Sequence, residues 1–436
     1  MKTFPRGGGT IPHRKEATEN KAIVVMPAPK EVVIPLQQHL GAPCDALVEV
    51  GESVKLGQKI GSGSHVISAA VHASVSGRVK ALAKRMLVDG REIQCVIIEN
   101  DGRDEQVAGK QNETLDGLSP ERIRTIVKEA GIVGMGGAGF PTHVKLDVPK
   151  PVDTVIINGA ECEPYLTCDH RLLVEKSKDV LFGLRAVMKA AKAENGILGI
   201  EVNKPDALEA MSELVKDDTN ISVVPLQVRY PQGGEKQLIK AVTGREVPSG
   251  ALPFEVKCLV SNVHTVTAIA DALQKGMNLY QRVVTVTGKH IHDPRNVMVR
   301  LGTPVRAVIE FCGGMAGNPE AVVAGGPMTG CRIASLDAPV VKTLAGILLL
   351  GKDEVSPPLN EPCIRCGRCV DACPMGLTPS MLGFYSEQGM IDGAEALHAM
   401  DCIECGLCAF VCPSGRELSD WIKQGKQAIT KRNSNK

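Results

Sequence analysis

The sequence predicts a multidomain α/β chain, and three observations carry that reading. Its length of 436 residues, at about 100–200 per domain, implies three or four domains. The local pattern changes along the chain, from short β-branched runs between glycines, to helical spacing, to a cysteine-rich end. Eight of the 15 cysteines fall in two copies of one spacing, Cys363-x-x-Cys366-x-x-Cys369-x-x-x-Cys373-Pro374 and Cys402-x-x-Cys405-x-x-Cys408-x-x-x-Cys412-Pro413. Hydrophobic residues make up 43% of the total, enough for several cores, and a formal net charge of +1 gives no electrostatic case for nucleic acid. The opening MKTFPRGGGTIPHRK lacks the apolar core of a leader peptide. No stretch approaches the roughly 18 apolar residues of a membrane span. Without signs of export, thiols at this density read as metal ligands more than as disulfides.

Taken in order, residues 1–30 are rich in glycine and proline and read as an extended arm. Residues 31–101 alternate β-branched runs (47–50, 59–60, 91–99) with glycine turns, the rhythm of a small all-β module. Residues 102–117 are polar and read as a linker. A domain over 118–275 opens with Ser119-Pro120, a helix start signal, followed by Ile123, Ile126, Val127 and Ala130 at helical spacing. Next comes Gly131-Ile-Val-Gly134-Met-Gly136-Gly137-Ala138-Gly139-Phe140-Pro141-Thr142-His143-Val144-Lys145. It contains a literal Gly-x-Gly-x-x-Gly, but a dinucleotide fingerprint needs a strand leading in, and here a helix does. A tight loop without a ligand is the plainer alternative. Within 276–335, runs at 282–287, 296–300 and 321–324 read as strands around a helix at 304–311. The cysteine motifs and their helical link, 377–400, define a domain over 355–416. The final 417–436 is amphipathic, then basic (Lys423, Lys426, Lys431, Arg432, Lys436), and reads as a solvated tail, with contact to a membrane surface as the alternative.

The doubled cysteine run matches the bacterial ferredoxin pattern, in which the fourth cysteine of each motif ligates the other cluster. The expected sets are Cys363, Cys366, Cys369 and Cys412, and Cys402, Cys405, Cys408 and Cys373, for two 4Fe-4S clusters. Zinc is the plainer alternative, but it needs only four thiolates and no fixed proline. Cys162 and Cys168 lack further partners and read as packing residues. Cys44, Cys95, Cys258, Cys312 and Cys331 read as buried small hydrophobes, and no histidine shows metal spacing.

Several blocks resemble known families. Residues 48–60 and 71–79 resemble the barrel-sandwich fold of biotinyl and lipoyl carriers. The tip Gly63-Ser-His-Val-Ile-Ser68 lacks the carrier lysine, so a scaffold or docking role is expected. The glycine segment, Asn158-Gly-Ala-Glu161-Cys-Glu163-Pro164, Gly233-Gly234-Glu235 and Ser261-Asn262-Val263-His264-Thr265 together resemble the FMN- and NADH-binding subunit of respiratory complex I. Ala160 and Gly234 depart from that pattern, which has acidic residues there. The Arg6-Gly7-Gly8-Gly9 arm, the β module and the two cysteine motifs make the whole chain similar to the RnfC component of the Rnf complex, a membrane-bound ferredoxin:NAD oxidoreductase.

That resemblance implies a Rossmann-like α/β flavin domain and a β-grasp module over 276–335. It implies non-covalent FMN held by Gly134, Gly136, Gly137, Gly139, Lys145, Asn158, Glu161, Gly233, Asn262 and Thr265. Glu163 and Glu235 would lie beside the nicotinamide of NADH and disfavour the extra phosphate of NADPH, and Phe140 would stack on the dinucleotide. Partners would be the integral membrane and ferredoxin-like subunits of the Rnf complex, with ferredoxin reached indirectly. The expected location is the cytoplasmic face of the cell membrane, as a peripheral protein. Electrons would pass between NADH, FMN and the clusters, while other subunits translocate Na+ or H+. The alternative is a soluble flavin–iron–sulfur reductase, such as cobalamin reductase.

Overall fold

Alternation between 31 and 101 produces two small antiparallel sheets, because residues two apart on a strand share a face. The structure, a computed structural model, describes residues 1–108, 114–355 and 359–434. One sheet joins Glu31–Pro35, Glu92–Asn100, Gly77–Met86 and Ser53–Val54; the other joins Asp45–Ala46, Lys59–Ser62 and Val71–His72. Val32, Ile34, Ile60, Val71, Val96 and Ile98 close the sandwich between them.

The Ser119-Pro120 signal starts a helix, Pro120–Glu129, whose cap is the Ser119 hydroxyl accepting the Arg122 amide at 3.1 Å. Four parallel strands follow, ordered Ile221–Leu226, Asn195–Glu201, Thr154–Gly159, Cys258–Asn262. Their chain order across the sheet is third, second, first, fourth. Helices bury both faces, with Val155, Ile157 and Leu198 on one side and Ile156, Val260 and Leu226 on the other. The strand order reverses between Thr154–Gly159 and Cys258–Asn262, and open sheets of this kind take their ligands in the crevice beyond the strands' carboxyl ends at such a point.

The strands read at 282–287, 296–300 and 321–324 form as Gln281–Thr287, Arg295–Arg300 and Ala321–Ala324, with the helix Val305–Phe311. Their sheet has six strands and reaches outside 276–335. Gly346–Leu350 lies in its middle, and Ile23–Val25 of the N-terminal arm runs parallel to Arg295–Arg300 at its edge.

Short helices Arg368–Ala372, Pro379–Glu387, Ile391–Ala396 and Leu407–Phe410 carry the cysteine domain. Residues 417–434 are not a solvated tail. Leu418–Ser434 is a helix that buries Ile422 and Ile429 against Leu382 and Ala399. Two of its basic residues are engaged: Lys426 donates to the Cys402 carbonyl at 2.7 Å, and Arg432 pairs with Asp392 at 2.6 Å and with Glu395. Lys436 lies outside the described residues. Among the described residues, no helix is long and apolar enough to cross a membrane.

The arm is not free either. Gly8 donates to the Ala372 carbonyl at 2.8 Å, and Gly9 and Tyr230 exchange backbone hydrogen bonds at 2.9 and 2.8 Å. At Gly7, φ is +61°, and a Cβ would lie 2.3 Å from the Cys373 carbonyl oxygen. Only glycine permits that conformation and that approach. The Arg-Gly-Gly-Gly segment is thus wedged between the flavin-type domain and the cysteine domain.

Candidate functional site

Strand ends bring most of the sequence-predicted residues to the crevice. Asn158 lies near the end of its strand and donates through Nδ2 to the Gly233 carbonyl at 2.8 Å. Asn262 closes the neighbouring strand and caps helix Val263–Lys275, its Oδ1 accepting the amides of His264 (2.9 Å) and Thr265 (3.4 Å). Thr265 Oγ1 in turn accepts the Met135 amide at 2.9 Å, which ties the glycine loop to the same helix. Gly136, Gly137 and Ala138 form the exposed edge of that loop. A Cβ at Gly136 would lie 2.6 Å from Asn262 Nδ2, whereas one at Gly137 would meet nothing within 4 Å. Backbone at this edge is free of side chains, as close approach to a phosphate or a ribityl chain requires. Lys145 and Glu235 form an ion pair at 2.8 Å, and Phe140 is half-buried beside the loop.

Other predicted residues face elsewhere. The Gly134 amide is engaged by the Phe140 carbonyl at 2.9 Å, and Gly139 packs on the β module, where Leu40 donates to its carbonyl at 3.1 Å. The β module therefore lies behind the glycine loop. Glu161 commits both carboxylate oxygens to the amides of Asp169 (2.7 Å) and His170 (3.1 Å), capping helix Cys168–Glu175. Glu163 accepts from the Met328 amide at 3.2 Å and from the Thr329 hydroxyl, both on a loop of the six-stranded sheet. Burial raises its carboxyl above the usual range. Glu235 is ion-paired with Lys145, whereas the partners of Glu163 are a neutral amide and a neutral hydroxyl.

Four functional residues escaped the sequence reading. Lys15 of the arm buries its ammonium beneath the crevice loop, donating to the carbonyls of Glu161 (3.0 Å), Glu163 (2.9 Å) and Leu166. Lys204 does the same for Ala160 at 2.7 Å. Asp169 accepts from Asn262 Nδ2 at 2.6 Å, and burial and then Glu161 push its carboxyl up to about 7. Tyr230 donates its hydroxyl to the Cys405 carbonyl at 2.7 Å. No spacing marks the two lysines, which stand outside any periodic run; Asp169 at least follows closely on the Asn158–Pro164 block.

The eight motif cysteines fall into two groups of four. Cys373, Cys402, Cys405 and Cys408 line one cavity, together with Pro374, Leu377 and Ile422. Cys363, Cys366, Cys369 and Cys412 line another, with Met381, Phe384 and Pro413. Burial, then neighbouring thiols, raise Cys405 to about 11 and Cys408 further. Thiols this crowded ionise together only if a cation compensates, which is the chemistry of an iron–sulfur site. Backbone amides of Leu377 and Glu404 donate to the sulfurs of Cys373 and Cys402, both at 3.4 Å. The first set packs inward: Cys405 clusters with Tyr230, Cys162, Met328 and Leu407 at the crevice. Cys363 and Cys366 of the second set are exposed. Of the cysteines read as buried packing residues, Cys44, Cys95, Cys258 and Cys312 are buried and Cys331 is exposed.

Comparison with known proteins agrees with this layout. Residues 2–103 match the RnfC barrel sandwich hybrid domain, 127–271 the Nuo51 FMN-binding domain, 283–332 the SLBB domain and 362–416 the 4Fe-4S dicluster domain. An NAD+-reducing [NiFe]-hydrogenase of known structure shares the fold, with a TM-score of 0.52 at 18% identity over 74% of this chain and 68% of that one. The C-type subunit of the Na(+)-translocating ferredoxin:NAD(+) oxidoreductase complex of Acetobacterium woodii is 45% identical over 427 residues, 97% of this chain and 96% of that protein. Its counterpart in the proton-translocating complex of Clostridium ljungdahlii is 45% identical over 398 residues, 91% of this chain and 87% of that protein. Similarity running from the arm to the last cysteine motif displaces the soluble-reductase alternative. Crevice, paired cysteine sets and end-to-end likeness converge: the chain belongs to the RnfC family, the C-type subunits of ion-translocating ferredoxin:NAD(+) oxidoreductase complexes.

Proposed function

We propose that this chain is the NAD(H)-linked electron-transfer subunit of such an assembly, holding one non-covalent FMN in the crevice and two 4Fe-4S clusters on the crossed cysteine sets. The hydrogen bond from Tyr230 to the Cys405 carbonyl carries the reading, because it joins the crevice directly to one cysteine set. FMN exchanges two electrons with a nicotinamide and single electrons with clusters, which lets it bridge the two chemistries. Gly136, Gly137 and Asn262 would hold it; Asn158 fixes the Gly233 backbone opposite. Lys15 and Lys204 keep the carbonyls of the 160–166 loop fixed, so the crevice needs no rearrangement on loading. Phe140 and the Lys145–Glu235 pair flank the entrance for a dinucleotide.

The order of transfer follows from burial. The inward set (Cys373, Cys402, Cys405, Cys408) lies next to the crevice, and the set with exposed Cys363 and Cys366 is the exit toward a partner. Ile364, Met381 and Phe384 expose apolar surface around that exit, suited to a protein interface. The partners are the integral membrane and ferredoxin-like subunits, which perform ion translocation, and the chain sits peripherally on the cytoplasmic face of the membrane. Anaerobically purified protein should contain about eight irons, eight sulfides and one FMN. In stopped-flow mixing, NADH should bleach the flavin first and the clusters afterwards. Loaded protein whose flavin stays oxidised under NADH would overturn the proposal.

A further inference from the structure

Asn262 leaves no ambiguity about which way its side-chain amide points. Its Oδ1 faces two backbone N–H groups, which only donate, and this orientation leaves Nδ2 as the donor to the Asp169 carboxyl group. Two hydrogens sit on Nδ2, and Asp169 takes one. The other has no partner among the described residues, while the nitrogen lies against Gly136 at the crevice edge. Asp169 itself is held from behind. It occupies the first turn of helix Cys168–Glu175, whose N-terminal amides are capped by Glu161, so its backbone cannot drift from Asn262. The groups acting on its charge are Glu161, Arg282 and Lys15.

We propose that Asp169 is a positioning residue for the flavin: it locks the Asn262 amide so that the remaining Nδ2 hydrogen is presented to an acceptor on FMN. Asp169 does not touch the flavin in this scheme; it acts through Asn262. An unlocked Asn262 would rotate, and each rotamer lost from the productive geometry weakens binding. The inference rests on the crevice being the flavin site.

The decisive variant is the exchanged pair, Asp169→Asn with Asn262→Asp. The hydrogen bond between the two positions survives with its polarity reversed, and aspartate is as good a helix cap as asparagine. The free N–H at position 262 is gone, however. Iron-loaded, flavin-stripped full-length protein is titrated with FMN and followed by flavin fluorescence. The exchanged pair should keep its iron and melting temperature but bind FMN about tenfold more weakly or worse, the scale of one lost hydrogen bond to a ligand. Asp169→Ala should weaken FMN binding similarly, and Asp169→Asn alone, which can still accept from Asn262, by no more than about threefold. Wild-type affinity in either the exchanged pair or Asp169→Ala overturns the proposal. If the wild type binds FMN and Gly137→Val does not, such a result removes only the role of Asp169. If the wild type binds none, the flavin site and the inference fall together.

Discussion

Adjacent glycines at the crevice make opposite predictions. Gly136 has Asn262 Nδ2 where its Cβ would go, at 2.6 Å, and Gly137 has open space. Gly136→Ala should therefore force Asn262 aside and cost about 1–3 kcal/mol of stability, the usual range for overpacking. Gly137→Val should leave stability within about 0.5 kcal/mol, as an exposed loop change does, yet abolish flavin retention by blocking backbone approach. Thermal melts with flavin and iron assays separate the two. A Gly137→Val protein with full flavin content would show that the phosphate lies elsewhere. Among the cysteines, Cys412→Ala should damage the set of Cys363, Cys366 and Cys369 and spare the inward set, halving iron from about eight to about four per chain. Electron paramagnetic resonance identifies the survivor, and loss of the Cys402, Cys405 and Cys408 signal would refute the crossed ligation.

The arm is the element whose role is most concentrated in one side chain. Lys15 is 2% exposed and satisfies three carbonyls of the 160–166 loop. Burial lowers its pKa, with Glu161 opposing. Lys15→Met keeps the length of the stem but strands those acceptors, at about 1–3 kcal/mol for each buried group left unsatisfied. A lower melting temperature with reduced flavin content is expected, and a variant unchanged in both would mean the loop holds itself. Elements with strong local patterns were legible in the sequence. The helix after Ser119-Pro120 and the strands at 282–287 and 321–324 each form within a residue or two of where local chemistry puts them. What escaped was set by distant contact. Nothing near Ile23–Val25 or Gly346–Leu350 says that they pair with Arg295–Arg300 and Gln281–Thr287. Likewise Lys426 and Arg432 look solvated until the Cys402 carbonyl, Asp392 and Glu395 are brought beside them. At the crevice, Asn158, Asn262 and Gly136 were found through a resemblance, because their function is a meeting of four separate segments.

For the molecule as a whole, buried titratable groups set the response to acid. Burial, then the charge of Lys342, lowers His72 to about 3, and burial lowers His264 well below its usual value. A histidine that is neutral when folded adds stability above its unfolded pKa of about 6.5, and that stability is lost as pH falls toward the folded value. For His72 the loss approaches about 5 kcal/mol between pH 6.5 and 3, at 1.36 kcal/mol per unit. Asp169 runs the other way: with its carboxyl raised to about 7, ionisation is penalised and the fold gains as pH falls from 7 toward 4. His72→Gln, which does not titrate, should flatten the decline of melting temperature between pH 7 and 4, and an unchanged slope would refute the assignment. The wedged arm also has a consequence for biosynthesis. Its first 25 residues leave the ribosome early, yet Ile23–Val25 has no strand to pair with until Arg295–Arg300 is made, and the Gly8 amide has no carbonyl to donate to until Ala372 is made. Translation at about 5–20 residues per second leaves those two contacts unmade for tens of seconds. The cysteine motif that Gly7 closes upon is made after the arm's partners in the parallel-sheet domain, so the arm meets the cysteine domain last.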